Sequence, residues 1–183
     1  MAELTGGLVL EGKYSFSIET IQDMPTAAEL VNIDSENEKF LRTSSTWQDP
    51  VEVEELDSVG LELRRQDLKI NLLMDMVSEL LMRQSELPPP ESIKLTPKGI
   101  EFSNKDRQLK TGTLGKVFLY ILPALPRALQ FYGEVQSGEQ EGSLRLEFSG
   151  TGKAVQDQID KLLFTHHRRS IAQVHAGIKQ ANA

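Results

Sequence analysis

The second half of the chain alternates hydrophobic and polar positions in short segments separated by glycine and proline. Each segment is rich in leucine, β-branched or aromatic residues, which is the pattern of half-buried strands. The segments are residues 93–95, 99–102, 114–122, 129–135 and 143–148. Strands of this length and spacing predict a small antiparallel β-barrel. Residues 1–24 predict one or two more strands, and residues 153 to about 174 predict an amphipathic helix after the barrel.

Helical periodicity dominates the region before the barrel. Residues 25–31 predict a short helix with proline in its first turn, and residues 37–43 predict a separate helical turn. From Asp49 the pattern is helical to about Glu86, because Asp49 suits an N-cap and the following proline suits the first helical position. Three consecutive prolines from Pro88 then end the helix, since proline lacks the amide donor and clashes with the preceding turn.

The long helix carries a heptad repeat. With Leu56 as position a, eight of the ten a and d positions between Leu56 and Leu87 are apolar, a pattern typical of helices that associate with other helices. We call this predicted contact surface the seam. It comprises Leu56, Val59, Leu63, Gln66, Ile70, Leu73, Val77 and Leu80. Gln66 is its polar member and is expected to fix the register of association at some cost in stability.

The apolar face of this helix is wider than a two-stranded contact needs. The seam is extended by Met74, Met76 and Leu81. This width favours a bundle of three or four helices, or a helix shared between self-association and its own domain. A further face, predicted to dock on the barrel, comprises Leu61, Leu68 and Leu72. The alternative is one helix packed along its own domain, but a small barrel would leave one apolar side in water, so partner helices are favoured.

The amino-acid composition excludes or disfavours several classes of function. The chain has 183 residues, of which 39% are hydrophobic and 26% charged, enough for a packed domain with appendages. The net charge of −7 disfavours nucleic-acid partners, and the absence of cysteine excludes disulfides, thiolate metal sites and a cysteine nucleophile. No secretory signal and no apolar stretch of about 18 residues occurs, so we expect a cytoplasmic protein without membrane insertion.

The sequence predicts neither an enzyme nor a metal site. It contains no nucleophile elbow, phosphate-binding loop, zinc-protease or dinucleotide motif. A basic cluster near the end of the last predicted helix comprises His166, His167, Arg168 and Arg169. Cations at a helix C-terminus complement its dipole, which is the structural interpretation, and an anion or acidic-partner site is the alternative. Adjacent histidines do not share a helix face, so a metal pair is not expected there.

The C-terminal half resembles the PilZ domain family in the order of its motifs. Residues 95–102 are similar to the family's strand–turn–strand segment with glycine, and residues 109–114 to its L-x-x-G step into a long strand. Residues 131–135 are similar to its hydrophobic-x-G-x-V strand. A glycine before alternating apolar residues that end on Phe148, followed by a closing helix, completes the resemblance. The heptad helix before the barrel is similar to the tetrameric PilZ variety, which implies a homo-tetramer.

The resemblance implies a site for cyclic di-GMP. The family builds it from an R-x-x-x-R stretch, whose arginine forks bind phosphates and guanine faces, and from a [D/N]-x-S-x-x-G segment on the barrel. Here the second segment corresponds to Lys94, Thr96, Lys98 and Gly99, with lysine in place of the acidic or amide acceptor. No R-x-x-x-R occurs in the sequence. We therefore expect a degenerate site, no required cofactor, and no favoured binding of cyclic di-GMP.

Together these features predict an α+β, mainly β protein. A small antiparallel PilZ-like β-barrel with a C-terminal helix is expected at 91–176, and an N-terminal strand and helix segment at 1–48. The long heptad helix, 49–87, is expected to form a helical bundle between subunits. The resemblance implies a regulatory adaptor in bacterial cyclic di-GMP-linked signalling that acts on an unidentified protein partner. The alternatives are a genuine receptor that recruits arginines of the helix or of a neighbour, and a purely structural scaffold. The arginines concerned are Arg64, Arg65 and Arg83.

Overall fold

The structure is a computed structural model that describes residues 8–48, 58–105, 107–122 and 125–181, with backbone only for 45–48 and 169–181. Six strands form a closed antiparallel barrel in the order β1-β2-β3-β6-β5-β4. Their bounds are β1 Leu10–Thr20, β2 Pro90–Thr96, β3 Gly99–Ser103, β4 Leu114–Tyr120, β5 Leu129–Ser137 and β6 Ser143–Ser149. The prediction of a small antiparallel barrel is confirmed.

The barrel interior is filled by every second residue of its strands. In β4 the buried positions are Gly115, Val117 and Leu119, and the residues between them are half-buried on the outer face. This alternation follows from the period of two in a strand, which points successive side chains to opposite faces. The side chains that are almost fully buried include Phe16, Leu95, Ile100, Phe102, Leu129, Val135 and Leu146.

Strand β1 closes the barrel, although its position in the sequence predicted a separate N-terminal segment. Its first half pairs with β2, from Leu10 opposite Leu95, and its second half pairs with β4, up to Thr20 opposite Gly115. The barrel therefore extends beyond 91–176 and includes a strand from the other end of the sequence. Pairing over such a separation leaves no local signal in the amino-acid pattern.

The barrel is accompanied by three helices, α1 Ala27–Gln48, α2 Ser58–Gln84 and α3 Lys153–Ala181. Helix α1 packs against α3, and apolar side chains of both join the barrel core. The contributing residues are Phe40 and Leu41 of α1 and Val155, Ile159 and Leu163 of α3. The amphipathic helix predicted after the barrel is thus confirmed.

Helix α1 is one continuous helix, so the prediction of two short helical pieces is wrong. Thr26 and Glu29 begin it as a capping box: the Thr26 amide donates to Glu29 Oε2 at 2.9 Å and the Glu29 amide to Thr26 Oγ1 at 3.4 Å. The polar residues in its middle, which hid the helical period, are used for contacts with other elements, as Asn37 shows below.

The described part of α2 begins at Ser58 and runs through Gly60 without a break. It ends at Gln84, before the three prolines that were predicted to stop it. The predicted start at Asp49 and the first seam residue, Leu56, lie outside the described residues.

Candidate functional site: a charged barrel face and an apolar helix

The four residues predicted from the cyclic di-GMP motif lie together on the β2–β3 hairpin. Ile93 and Leu95 of β2 point into the barrel, so Lys94 and Thr96 point outward. Lys98 lies in the turn, and Gly99 begins β3 opposite Thr96. The four residues predicted from the sequence are thus neighbours on the outer side of the barrel.

Two of these residues have roles within the hairpin and its packing. The Thr96 hydroxyl donates to the Gly99 carbonyl at 3.0 Å, which closes the turn. A Cβ at Gly99 would lie 2.7 Å from the Leu146 carbonyl oxygen, too close for any side chain. Gly99 is therefore required for the approach of β3 to β6, whether or not a ligand binds. The Lys98 carbonyl accepts from the Phe148 amide at 2.8 Å and strengthens the same junction.

Charged side chains of alternating sign cross the outer face of the barrel in one row. Backbone pairing places Glu11, Lys94, Glu101 and Arg145 on neighbouring strands β1, β2, β3 and β6. We call these four residues the charge row. Lys94 Nζ lies 3.4 Å from Glu11 Oε1. Glu101, only 8% exposed, accepts from the Ser143 hydroxyl at 2.6 Å and from the Glu139 amide at 3.3 Å. Opposite charges directly across strands stabilise a sheet, so the charge row accounts for these residues structurally.

An open groove of about 600 Å³ runs along this face. Its lining contains three lysines and three glutamates: Lys13, Lys94, Lys105, Glu11, Glu101 and Glu141. A smaller depression of about 140 Å³ beside it contains Thr96, Gly99 and Arg145. The charged residues in the lining balance, so this part of the groove carries no net positive charge.

The arginines considered for recruitment to this site lie on α2. Arg83 bonds to Glu79 at 2.6 Å along the helix, and Arg65 lies 4.0 Å from Glu62. Arg64 is exposed. Among the described residues, no ion pair joins these three arginines to the β2–β3 hairpin.

Helix α2 exposes its seam to solvent in the single subunit. The described apolar seam residues are between 48% and 63% exposed: Val59, Leu63, Ile70, Leu73, Val77 and Leu80. Gln66 is exposed with them. Among the described residues of α2, Ser78 alone is buried. The alternative of a helix packed along its own domain is therefore contradicted.

The second apolar face of α2 does not touch the barrel. Leu61, Leu68 and Leu72 are 58%, 63% and 60% exposed, so the prediction that they dock on the barrel is wrong. Helical spacing shows that these leucines share a face, but not which element lies against it, and α2 stands clear of the described strands.

Sequence reasoning missed the polar residues that organise the ends of the barrel. Arg107 forms a two-pronged ion pair with Glu91 and lies over the Phe16 ring, 4.8 Å from its centroid. On the other side, Asn37 of α1 bonds to the backbone of Gln130. In both contacts the partners are far apart in the sequence, so the local amino-acid pattern gives no signal for them.

The basic cluster on α3 is exposed. His166, His167 and Arg168 face solvent, and Arg168 lies over the Phe164 ring at 6.0 Å. The Arg169 side chain lies outside the described residues. A search of the described residues finds no group of three or more histidines and carboxylates placed to hold a metal ion. None of the described helices has the length and apolar character needed to cross a membrane.

The closed six-stranded barrel with its closing helix defines the PilZ architecture. The sequence matches the family described as "Atypical PilZ domain, cyclic di-GMP receptor" over residues 41–176, and the chain belongs to that family. This description names a receptor domain and not an enzyme.

A solved structure from Xanthomonas campestris is similar in fold. It has a TM-score of 0.71 and 24% sequence identity, with 92% of this chain and 93% of that chain covered. That protein is described as pathogenic and as a new tetrameric PilZ domain, self-assembled via an unusual helical bundle. No curated protein matches the sequence.

Proposed function

We propose that this chain is a regulatory adaptor of cyclic di-GMP-linked signalling that self-assembles through α2 and acts through protein–protein contacts in the cytoplasm. The family is a cyclic di-GMP receptor family, which gives the signalling context. The adaptor role, the degenerate nucleotide site and the assembly are the parts we propose.

The observation that carries the proposal is the exposed seam of α2. Six apolar side chains about half exposed on one helix make a surface larger than soluble monomers commonly leave in water. Burying one leucine fully against partner helices contributes about 1.5–3 kcal/mol, so a seam of this length supplies enough free energy for association. The solved relative described as a tetramer built by a helical bundle supports the same assembly here.

The contacts that Lys94 and Thr96 make in the β2–β3 hairpin support a degenerate nucleotide site. Lys94 stands where the family uses an acceptor for guanine, and its ammonium is paired with Glu11. The Thr96 hydroxyl is used within the turn. A ligand would have to break these contacts and recruit arginines that are absent from the hairpin, which costs affinity.

Assembly gives the proposed adaptor its mechanism. A bundle built from α2 holds several barrels in fixed positions relative to one another. When two barrels contact one partner, the second contact becomes intramolecular, and weak contacts add to a strong one. The affinity for the partner protein is therefore set by the number of subunits and by the fixed positions of their barrels.

The test is light scattering on the intact chain and on the double variant Leu73→Asp/Leu80→Asp. Two charges at the seam should dissociate the assembly or make it insoluble, because buried unpaired carboxylates are costly. The matched control is Asn71→Asp, on the same helix outside the seam, which should keep the native mass. A soluble Leu73→Asp/Leu80→Asp protein of unchanged mass would contradict the proposal.

A genuine cyclic di-GMP receptor is the second candidate, favoured by the description of the family itself. Titration calorimetry on the intact chain separates the two. We expect no saturable binding at micromolar ligand. Saturable binding that is lost in Lys94→Ala and retained in the control Lys110→Ala would establish the receptor and overturn the degenerate site.

A further inference from the structure

We propose that the ion pair between Arg107 and Glu91 fixes the direction in which α2 leaves the barrel, and with it the positions that the barrels take in the assembly. The direction of α2 is a property of the single subunit. The consequence for the barrel positions rests on the proposed assembly through α2.

Helix α2 gains no fixed direction from packing on the described elements. Helix α1 packs on α3 and β5, and the strands pair with one another, but α2 has no comparable contact with any of them. On its C-terminal side, α2 is joined to β2 by residues 85–89. The direction of α2 at this side therefore depends on how firmly this connection is held at each of its two ends.

The connection between α2 and β2 is short and stiff. At the helix end, the Ser85 hydroxyl donates to the Leu81 carbonyl at 2.7 Å and ties the first connecting residue to the last turn. Pro88 and Pro89 follow, and Pro90 begins β2. Each proline ring fixes φ, and consecutive prolines form a semi-rigid spacer. A rotation at the barrel end is therefore transmitted to α2.

Glu91 holds the barrel end of the connection. It directly follows the three prolines, and its backbone pairs with Tyr14 of β1. Arg107 Nη1 donates to Glu91 Oε2 at 2.7 Å, and Nη2 donates to Oε1. The two side chains are only 20% and 30% exposed, so water competes little for the pair. A planar fork that binds both carboxylate oxygens holds Glu91 in one orientation, which a single point charge cannot do.

Arg107 is itself held in place by the barrel end. Its guanidinium lies 4.8 Å from the centroid of the Phe16 ring and 5.7 Å from that of Phe102. It also donates to the Ser103 carbonyl at 3.2 Å. These contacts attach the guanidinium to β1 and β3, so the ion pair anchors Glu91 to two strands of the barrel wall.

The backbone beside Arg107 is strained and clamped. Gln108 has a φ of 51°, a left-handed conformation that is unfavourable for a residue with a side chain. The Asn104 side chain closes the loop around it, since Nδ2 donates to the Leu109 carbonyl and Oδ1 accepts from the Leu109 amide, both at 3.0 Å. A loop that is closed in this way presents the guanidinium at one position, as a clamp on Glu91 requires.

The experiment measures the distance from α2 to the barrel in the full chain by double electron–electron resonance. The sequence has no cysteine, so spin labels attach only at the introduced Asn71→Cys and Ser137→Cys, both exposed positions. Asn71 lies about 20 Å along α2 from its C-terminal end, so a change of about 15° in direction moves the label by about 5 Å. Dilution with unlabelled chain removes distances between subunits. We expect one narrow distance distribution.

Two conservative variants test the ion pair. Glu91→Gln keeps the size of the side chain and loses its charge, and Arg107→Lys keeps the charge and loses the fork. Each should broaden the distribution about twofold or more, because the connection then pivots at its barrel end. Circular dichroism verifies that each variant is folded at the temperature of the measurement. An unchanged distribution in the folded variants would overturn the proposal, and so would a broad distribution in the wild type.

Arg127→Lys is the matched control. Arg127 also pairs with a carboxylate and lies over an aromatic ring, but both of its partners, Glu36 and Phe40, belong to α1. This variant loses an arginine fork of the same kind and should leave the distance distribution unchanged. Broadening equal to that of Arg107→Lys would show a general loosening of the fold and overturn the assignment to the Arg107–Glu91 pair.

Labels at Ser137→Cys alone, without dilution, test the consequence for the assembly. Distances between barrels should be narrow in the wild type and broad in Glu91→Gln, while light scattering gives the same mass for both because the seam is intact. Equal barrel-to-barrel distributions would overturn this consequence. A wild-type monomer would contradict the assembly itself, whereas the diluted sample would still decide whether the ion pair sets the direction of α2.

Discussion

Asn37 joins helix α1 to the barrel through its side-chain amide. Its Nδ2 donates to the Gln130 carbonyl at 2.6 Å, and its Oδ1 accepts from the Gln130 amide at 3.1 Å. The pairing of β5 with β6 begins only at Tyr132, so the backbone of Gln130 faces no strand on that side. The amide of Asn37 takes the place of the missing strand, which explains why a polar residue is buried in α1.

Replacing Asn37 tests this contact. Asn37→Ala leaves both backbone groups of Gln130 without their partner and should lower the free energy of unfolding by about 1–3 kcal/mol in urea denaturation. Asn37→Asp keeps an acceptor for the amide but faces the carbonyl with a second oxygen, so it should be destabilising too. Asn32→Ala, on the exposed side of α1, is the control. An Asn37→Ala protein as stable as this control would show that the contact is dispensable.

Asp34 links α1 to the start of α3 through a partly buried carboxylate. Its Oδ1 accepts from the Gly152 amide at 3.0 Å. Burial raises the pKa of Asp34 above its ordinary value of 3.8; the bond from Gly152 lowers the pKa, and repulsion by Glu38 adds to the rise. The folded state therefore holds the proton more tightly than the unfolded state does. Between pH 3.8 and the raised pKa, this residue's contribution to stability falls as pH increases, and ionised Asp34 is a cost at neutral pH.

The variant Asp34→Asn removes the charge and retains an acceptor for Gly152. We expect its melting temperature at pH 7 to equal or exceed that of the wild type, and the difference to shrink or reverse at pH 4. Asp34→Ala loses the acceptor and should be less stable at both pH values. If Asp34→Asn is less stable than the wild type at pH 7 and equal to it at pH 4, the assigned direction of the pKa shift is wrong.

At the scale of elements, β5 and β6 leave no room for a side chain at Gly133. A Cβ on this residue would lie 1.8 Å from the carbonyl oxygen of Glu147. Beside this point Phe131 and Phe148 stack with their ring centroids 4.0 Å apart. The glycine therefore lets two strands meet where the barrel curves and the aromatic pair closes one part of the wall.

Gly133→Ala should be strongly destabilising, by about 2 kcal/mol or more, because backbone on β6 must move to admit one methyl group. Thermal unfolding followed by circular dichroism measures it. The exposed neighbour Ser137→Ala, on the same strand, should change stability little. Equal melting temperatures of the two variants would mean that the strands separate easily at this position.

The sequence pattern predicts the elements whose burial alternates locally. Strands β4 and β6 are examples, because hydrophobic and polar residues follow each other there over seven residues. It could not place β1 in the barrel, because the residues that pair with β1 lie 75 residues or more along the chain, the nearest pair being Ser15 with Pro90. It also divided α1, since Asn37 and its polar neighbours are chosen for contacts with β5 and α3, and these interrupt the helical period.

For the candidate site, the sequence identifies the β2–β3 hairpin but not the residues of other strands that contact it. Lys94, Thr96 and Gly99 follow from a motif of adjacent residues. Their partners Glu11 and Leu146 come from other strands and become neighbours only through the barrel. Leu61, Leu68 and Leu72 show the reverse case: they are evident in the pattern, but only the exposed fractions of their side chains show that the barrel does not cover them.

In the whole molecule, the outer face of the barrel and helix α2 expose different kinds of side chain to solvent. The charge row neutralises itself, whereas α2 carries apolar side chains on two sides. Helix α2 is therefore the element whose apolar surface other molecules must cover, and association is the proposed basis of function. Because β1 completes the barrel, a fragment beginning at Pro88 would lack a wall strand, so assembly must be measured on the intact chain.

Sedimentation equilibrium of the intact chain over a wide concentration range tests the central claim most directly. Subunits of 20.5 kDa that bury the seam should sediment as a homo-oligomer, with four copies expected and with a mass that stays constant over the micromolar range. A mass of 20.5 kDa at every concentration would contradict the account, because the seam would then stay exposed in the native protein.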